Sequence, residues 1–161
     1  MTDTMAEVEQ VPEILDDETI QRMMHEHTKE VDANDGQGTD LDLSLCIISN
    51  FDFSGMNLSG IHAYKTVFQE CRFVGTDLYT ADFSDTIAPG ADFRKAVLAK
   101  SVFYGANLRG ANFDGANLIR AYFKHCDLRG ATFRDVDFSS GMISDCQTEG
   151  AIYDPEKVQP L

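Results

Sequence analysis

A five-residue period that holds its phase from Leu43 to Tyr153 constrains this chain more than any other feature of its sequence. The residue number itself serves as a ruler. Nine of the twelve glycines fall on multiples of five: Gly55, Gly60, Gly75, Gly90, Gly105, Gly110, Gly115, Gly130 and Gly150. Ten of the eleven phenylalanines carry numbers ending in 3 or 8, the exception being Phe51. Small residues collect at numbers ending in 1 or 6, as in Ala81, Ala91, Ala96, Ala106, Ala111, Ala116, Ala121 and Ala131. The register makes 23 consecutive units. Five matches neither the 3.6 of a helix nor the 2 of a strand, so the backbone must return on itself after a multiple of five residues.

Reading every twentieth residue shows which multiple. One column is Phe53, Phe73, Phe93, Phe113, Phe133 and Tyr153, and another is Leu58, Leu78, Leu98, Leu118 and Phe138. Two further columns, beginning at Leu43 and Ile48, are more mixed. Four units per turn, each forming one side of a square coil, is the simplest path that stacks like on like. The expected core is therefore the two pure columns, Phe53 to Phe133 and Leu58 to Leu118.

Units such as Ala106-Asn107-Leu108-Arg109-Gly110 and Ala111-Asn112-Phe113-Asp114-Gly115 resemble the repeat of the pentapeptide-repeat family, A-(D/N)-(L/F)-x-x. The resemblance spans about residues 41–154. It implies an all-β solenoid, a right-handed quadrilateral β-helix. The central Leu or Phe and the small residue two before it then point inward, and the other three positions face water. Each buried central side chain contributes roughly 1.5–3 kcal/mol before chain entropy is counted. With coils about 4.8 Å apart, the rod should be roughly 28 Å long.

The remaining segments have no such period. Residues 1–12 read as a disordered acidic tail. Residues 13–40 read as a helical N-terminal cap and turn, with Asp16 or Asp17 as N-cap and Ile20, Met23, Met24, His27 and Val31 on one face. A lead-in of this kind is similar to that of bacterial members of the family. Residues 155–161 form a C-terminal tail that either folds over the last coil or leaves it open, and an open coil would allow an end-to-end homodimer.

Charge excludes some functions. With 13 basic and 27 acidic residues the chain carries −14, which argues against direct binding to nucleic acid or an anionic membrane. Residues 1–40 alone hold twelve acids and two bases. No apolar run reaches the roughly 20 residues of a membrane span, and Met1 to Gln10 lack the basic residue of a secretory signal. The four cysteines, Cys46, Cys71, Cys126 and Cys146, fall at small inward positions and read as reduced thiols, which points to a cytoplasmic protein. Cys126 and Cys146 lie one coil apart in one column. Their Cα spacing suits a disulfide, but parallel side chains do not.

No catalytic residue, cofactor or metal ligand is expected. His62 and His125 share a face three coils apart, and outward residues on a convex rod diverge rather than converge. Asp32-Ala33-Asn34-Asp35-Gly36 is not a calcium loop, because its glycine comes one place late and Leu41 stands where glutamate is needed. Three sets of outward positions are apolar. Ile47, Val67 and Ile87 form a column expected to meet the N-terminal segment. Val102, Tyr104 and Tyr122 form a patch on another face, and Tyr79, Val97 and Ile119 mark a third; both are candidate interaction surfaces. Arg94, Asp114, Arg134 and Asp154 should form a charge ladder, and Arg109 with Arg129 a positive strip. The expected function is a non-enzymatic scaffold for an unidentified protein partner. The family resemblance also implies an alternative, a DNA mimic that binds or protects a type II topoisomerase such as gyrase.

Overall fold

Every residue numbered with a multiple of five from Leu45 to Gly150 has a positive φ, between 53° and 78°. The computed structural model describes residues 11–33, 41–154 and 156–157. At fifteen of these corners the N–H three residues beyond a central residue donates back to that residue's carbonyl, as Met56 N does to Phe53 O at 3.1 Å and Ala116 N to Phe113 O at 2.9 Å. A hydrogen-bonded turn with φ > 0 at its third position alone is type II, which explains the glycines at these numbers.

Thirteen corners nevertheless carry a residue other than glycine. Thr80 is the most costly of them, being exposed, β-branched and held at φ 57°. Left-handed geometry costs a non-glycine residue about 1–2 kcal/mol, and glycine adds about 0.5–1 kcal/mol of unfolded-state entropy. Thr80→Gly should therefore stabilise the chain by about 0.5–1 kcal/mol in chemical denaturation.

The Asp or Asn at the second position of many units has a local task. In eleven described units its Oδ1 accepts the N–H two residues on, as Ser44 N to Asp42, Arg94 N to Asp92 and Ile119 N to Asn117. This Asx turn satisfies the donor that enters those eleven corners. Where threonine replaces the small inward alanine, its hydroxyl donates to a carbonyl 23 residues earlier: Thr66 to Leu43, Thr76 to Phe53 and Thr86 to Ala63. Buried hydroxyls are thus paired, as burial requires.

Between corners the chain runs as short parallel strands. The elements are β1 (Glu13–Ile14), α1 (Asp17–Ala33), β2 (Cys46–Ser49), β3 (Val67–Gln69), β4 (Val102–Tyr104), β5 (Tyr122–Lys124), β6 (Thr132–Phe133), β7 (Met142–Ser144) and β8 (Ile152–Tyr153). Isolated bridges such as Asp52↔Arg72, Asp92↔Asn112 and Asn117↔Asp137 continue the ladder elsewhere. All these pairs outside β1 are parallel and twenty residues apart. Inside, Phe53, Phe73, Phe93, Phe113 and Phe133 stack with ring centroids 4.9–5.0 Å apart. Phe83, Phe103 and Phe123 form a second stack at 4.6–5.0 Å, set edge-on to the first. Leu58, Leu78, Leu98 and Leu118 are buried beside them. The four faces are named below after one coil's central residues: Phe103, Leu108, Phe113 and Leu118.

The N-terminal segment begins with a strand, where sequence pattern predicts only helix. Glu13 N donates to Leu45 O and Leu15 N to Ile47 O, so β1 adds to β2 in parallel and continues the sheet past the first coil. Two residues show no periodicity, which is why the pattern is silent there. Asp16, rather than Asp17, is the N-cap, its Oδ1 accepting Thr19 N at 2.8 Å. Leu15, Ile20, Met24 and His27 join the buried core over the first coil. Below them the inward positions hold Cys46, Phe51 and Ile61 in place of alanine, with Leu41 and Met56 packed alongside. The expected acidic tail, residues 1–12, lies outside the described residues apart from Val11 and Pro12. The expected turn at residues 34–40, the Val31 side chain and most of the C-terminal tail also lie outside them.

His27 is only 3% exposed, and burial lowers its pKa from 6.5. A hydrogen bond with the Asn57 backbone and the charge of Glu30 oppose that shift but do not overcome it. The folded state therefore binds a proton less readily than the unfolded chain, and stability falls as pH drops below about 6.5. The carboxylates Asp42, Asp52, Asp92, Asp127 and Asp137 have pKa values lowered from 3.8 by hydrogen bonds, so their contribution is lost only below that value. Denaturation from pH 7.5 to pH 4.5 should show a decline that His27→Gln flattens.

Candidate functional site

The Phe103 face carries a contiguous apolar stripe. Register brings Val102 against Tyr122 and Tyr122 against Met142 on successive coils. Val102 and Tyr122 are half-buried, while Met142 is 44% and Tyr104 46% exposed. Tyr104 pairs with Lys124 and meets the edge of His125, ring centroids 5.3 Å apart. Sequence reading named Val102, Tyr104 and Tyr122 but missed Met142, twenty places after Tyr122. The column rule that found the core would have found it.

The second candidate set sits around a corner, on the Leu118 face. Val97 bridges to Asp77 and Asn117 in one outward column, with Tyr79 and Ile119 in the other. Lys100 stands at the corner with its Nζ 4.9 Å from the Tyr79 ring centre, in hydrogen-bond contact with the hydroxyl. Ile47, Val67 and Ile87 do form one column on the Leu108 face. Among the described residues the N-terminal segment meets this column at Ile47. There β1 adds Ile14 above Ile47, while Ile14 and Ile87 are 78% and 45% exposed. A shallow hollow of about 430 Å³ beside Ile87 and Pro89 is bordered by Asn50, Gln69 and Glu70. It offers no nucleophile or imidazole.

The charge ladder on the Phe113 face is partly realised. Arg134 reaches Asp114 one coil away at 3.3 Å, as does Arg72 to Asp52. Arg94 turns instead to Asp92 of its own unit at 2.7 Å, because the Asx-turn carboxylate already lies beside it. Arg129 behaves alike with Asp127 at 2.6 Å, so the expected positive strip is neutralised at that member. Such exposed pairs are each worth about 0–1 kcal/mol. Among the described residues no cluster of His, Cys, Asp or Glu is arranged to hold a metal ion, and no helix is long and apolar enough to cross a membrane. Cys46, Cys71 and Cys126 are buried free thiols, and Cys146 is half-buried.

Comparison with known proteins agrees with this geometry. The family model for pentapeptide repeats matches in eight copies over residues 46–85, 81–115 and 116–147. No curated protein matches. Among solved structures, the chain is similar to HetL, a pentapeptide repeat protein involved in heterocyst differentiation regulation from the cyanobacterium Nostoc sp. strain PCC 7120. That match has 18% identity and a TM-score of 0.47, covering 86% of this chain and 92% of HetL. It is also similar to full-length QnrB1, a plasmid-mediated fluoroquinolone resistance protein, at 22% identity and a TM-score of 0.39, covering 76% of each chain. A third, Rfr23 from the cyanobacterium Cyanothece 51142, has 19% identity and a TM-score of 0.27 over 73% of this chain and 67% of that one. The repeat model covers well over half of the sequence, and its phase is the phase of the turns and stacked rings. This chain belongs to the pentapeptide-repeat family.

Proposed function

We propose that this repeat scaffold is a non-enzymatic protein-binding module whose partner docks on the Phe103 face through Val102, Tyr104, Tyr122 and Met142. The supporting observation is the in-register stripe of half-buried and exposed apolar side chains on a flat face, the kind of contiguous patch that monomers seldom expose without use. Tyrosine and methionine are also enriched at the centre of protein interfaces. Tyr79, Val97 and Ile119 flank it across the corner and extend the contact for a partner that wraps the rod. A convex surface with no converging acid, base or nucleophile is poorly suited to catalysis.

The test is a quantitative pulldown with the wild-type chain and a Tyr104→Asp, Tyr122→Asp double variant. Both substituted hydroxyphenyl groups project outward, so circular dichroism of the variant should match wild type. Loss of specific partners supports the assignment; identical recovery by both proteins sinks it. The alternative reading, a duplex mimic bound by a type II topoisomerase, needs a rod dense in uncompensated acid. Residues 41–154 carry fourteen acids against ten bases, and the described arginine pairs neutralise part of that. A supercoiling assay separates the two: inhibition or protection of gyrase by micromolar protein would favour the mimic.

A further inference from the structure

One inward column holds three of the four cysteines: Cys46, Thr66, Thr86, Ala106, Cys126, Cys146. Its two ends differ. At the N-terminal end Cys46 is buried beneath the pairing strand, with Glu13 directly opposite it. At the C-terminal end Cys146 belongs to the last full coil and is only half-buried. Cys126 lies one coil below, 1% exposed. The two residues touch as well as share a column. Cys126 N–H donates to Cys146 Sγ at 3.3 Å, and the Cys126 thiol donates to Phe103 O at 2.6 Å.

We propose that Cys146 is an oxidation-sensitive thiol and Cys126 its resolving partner, the pair forming a disulfide that ties the terminal coil to its neighbour. Coils about 4.8 Å apart place the two Cα atoms inside the 4.4–6.8 Å range that a disulfide spans. Parallel side chains oppose such a bond in mid-rod. At the last full coil Cys146 is half-buried and its sulfur already lies against the Cys126 backbone, 3.3 Å from the N–H nitrogen. The neighbouring Cys126 thiol and its N–H lower the Cys146 pKa from its ordinary value, while proximity to Cys146 and burial raise that of Cys126. Cys71, fully buried with no sulfur neighbour in its column, is pushed up to about 11 and serves as the internal control.

The oxidant is a hydroperoxide, hydrogen peroxide in the simplest case. The Cys146 thiolate attacks one peroxide oxygen; an S–O bond forms, the O–O bond breaks, and hydroxide leaves and takes up a proton as water. The Cys126 sulfur then attacks the Cys146 sulfenic acid. An S–S bond forms, the S–O bond breaks, and the hydroxyl departs with the Cys126 proton as a second water. Two thiols and one peroxide give one disulfide and two waters.

The experiment uses the full chain at pH 7.5. Limiting iodoacetamide should alkylate Cys146 at least tenfold faster than Cys46, Cys71 or Cys126. One equivalent of hydrogen peroxide, followed by non-reducing tryptic mapping, should link residues 125–129 to residues 135–157. Cys126→Ser should abolish the link and leave a Cys146 sulfenic acid that dimedone traps. That variant is chosen to fold, because hydroxyls at Thr66, Thr76 and Thr86 already make the bond that Cys126 makes to a carbonyl 23 residues earlier. Alkylation of Cys146 no faster than Cys71 overturns the proposal. So does peroxide-treated wild type that carries sulfinic or sulfonic acid at Cys146 with no link to Cys126.

Discussion

Phe113→Ala should destabilise the chain by about 3–5 kcal/mol, one of the largest losses open to a single core substitution. The ring is fully buried, stacked 5.0 Å from Phe93 and 4.9 Å from Phe133, and edge-on to Phe103 and Phe123 at 6.0 and 5.7 Å. Truncation removes four aromatic contacts and leaves a void that cannot collapse, because the backbone on both sides is fixed by ladder bonds such as Phe93 N to Asn112 O and Phe113 N to Thr132 O. Aromatic pairing adds about 0.5–1.5 kcal/mol per pair beyond burial. Phe138→Ala is the comparison. Phe138 lies toward the C-terminal end, 8% exposed, with a single ring contact to Phe123 at 6.3 Å. It should cost about half as much. Since the chain has no tryptophan, urea unfolding is followed by far-ultraviolet circular dichroism and tyrosine fluorescence. Equal losses for the two variants would mean that the core is not layered coil by coil.

The contrast between these positions shows what the sequence makes legible. The inward columns, the corners and the parallel stacking all repeat at fixed intervals, so a period of twenty announces them before any coordinates exist. What repeats only once is invisible to that reading. Glu13 and Ile14 form a strand because a coil edge offers carbonyls at Leu45 and Ile47, and nothing local to residues 13–15 marks them. Arg94 was expected to climb the rod toward Asp114. It pairs within its unit because Asp92 is already oriented by the Arg94 N–H. Phe51 gave a usable signal. It is the one phenylalanine out of phase, and it lies in the first coil, where a bulky inward residue can pack with the capping elements instead of a preceding coil. The surface stripe was half legible: its tyrosines stand out, whereas Met142 acquires meaning only through register.

Capping should prove as consequential as the central stack. Ile20→Asp should cost about 4–6 kcal/mol and detach α1 from the rod. Ile20 is fully buried, and a carboxylate there would have to lose its hydration without a partner. The helix has an escape that a core strand lacks: it can leave. The loss is then bounded by what the cap contributes, chiefly the burial of Leu15, Ile20 and Met24 at roughly 1.5–3 kcal/mol each, offset by recovered chain entropy. Coils in a solenoid lean mainly on their neighbours, so damage should stay near the first coil. Amide hydrogen exchange should show lost protection at Glu13, Leu15 and the first coil, with Phe103 and Phe113 amides unchanged. Undocking also exposes Phe51 beside an unpaired edge at Leu45 and Ile47, a template for another chain, and light scattering should register concentration-dependent association. Ile20→Val, which keeps an apolar contact, should cost about 1 kcal/mol and leave exchange and mass unaltered. If Ile20→Asp instead stays monomeric with the first coil fully protected, the helix is an appendage and the rod closes its own N-terminal end.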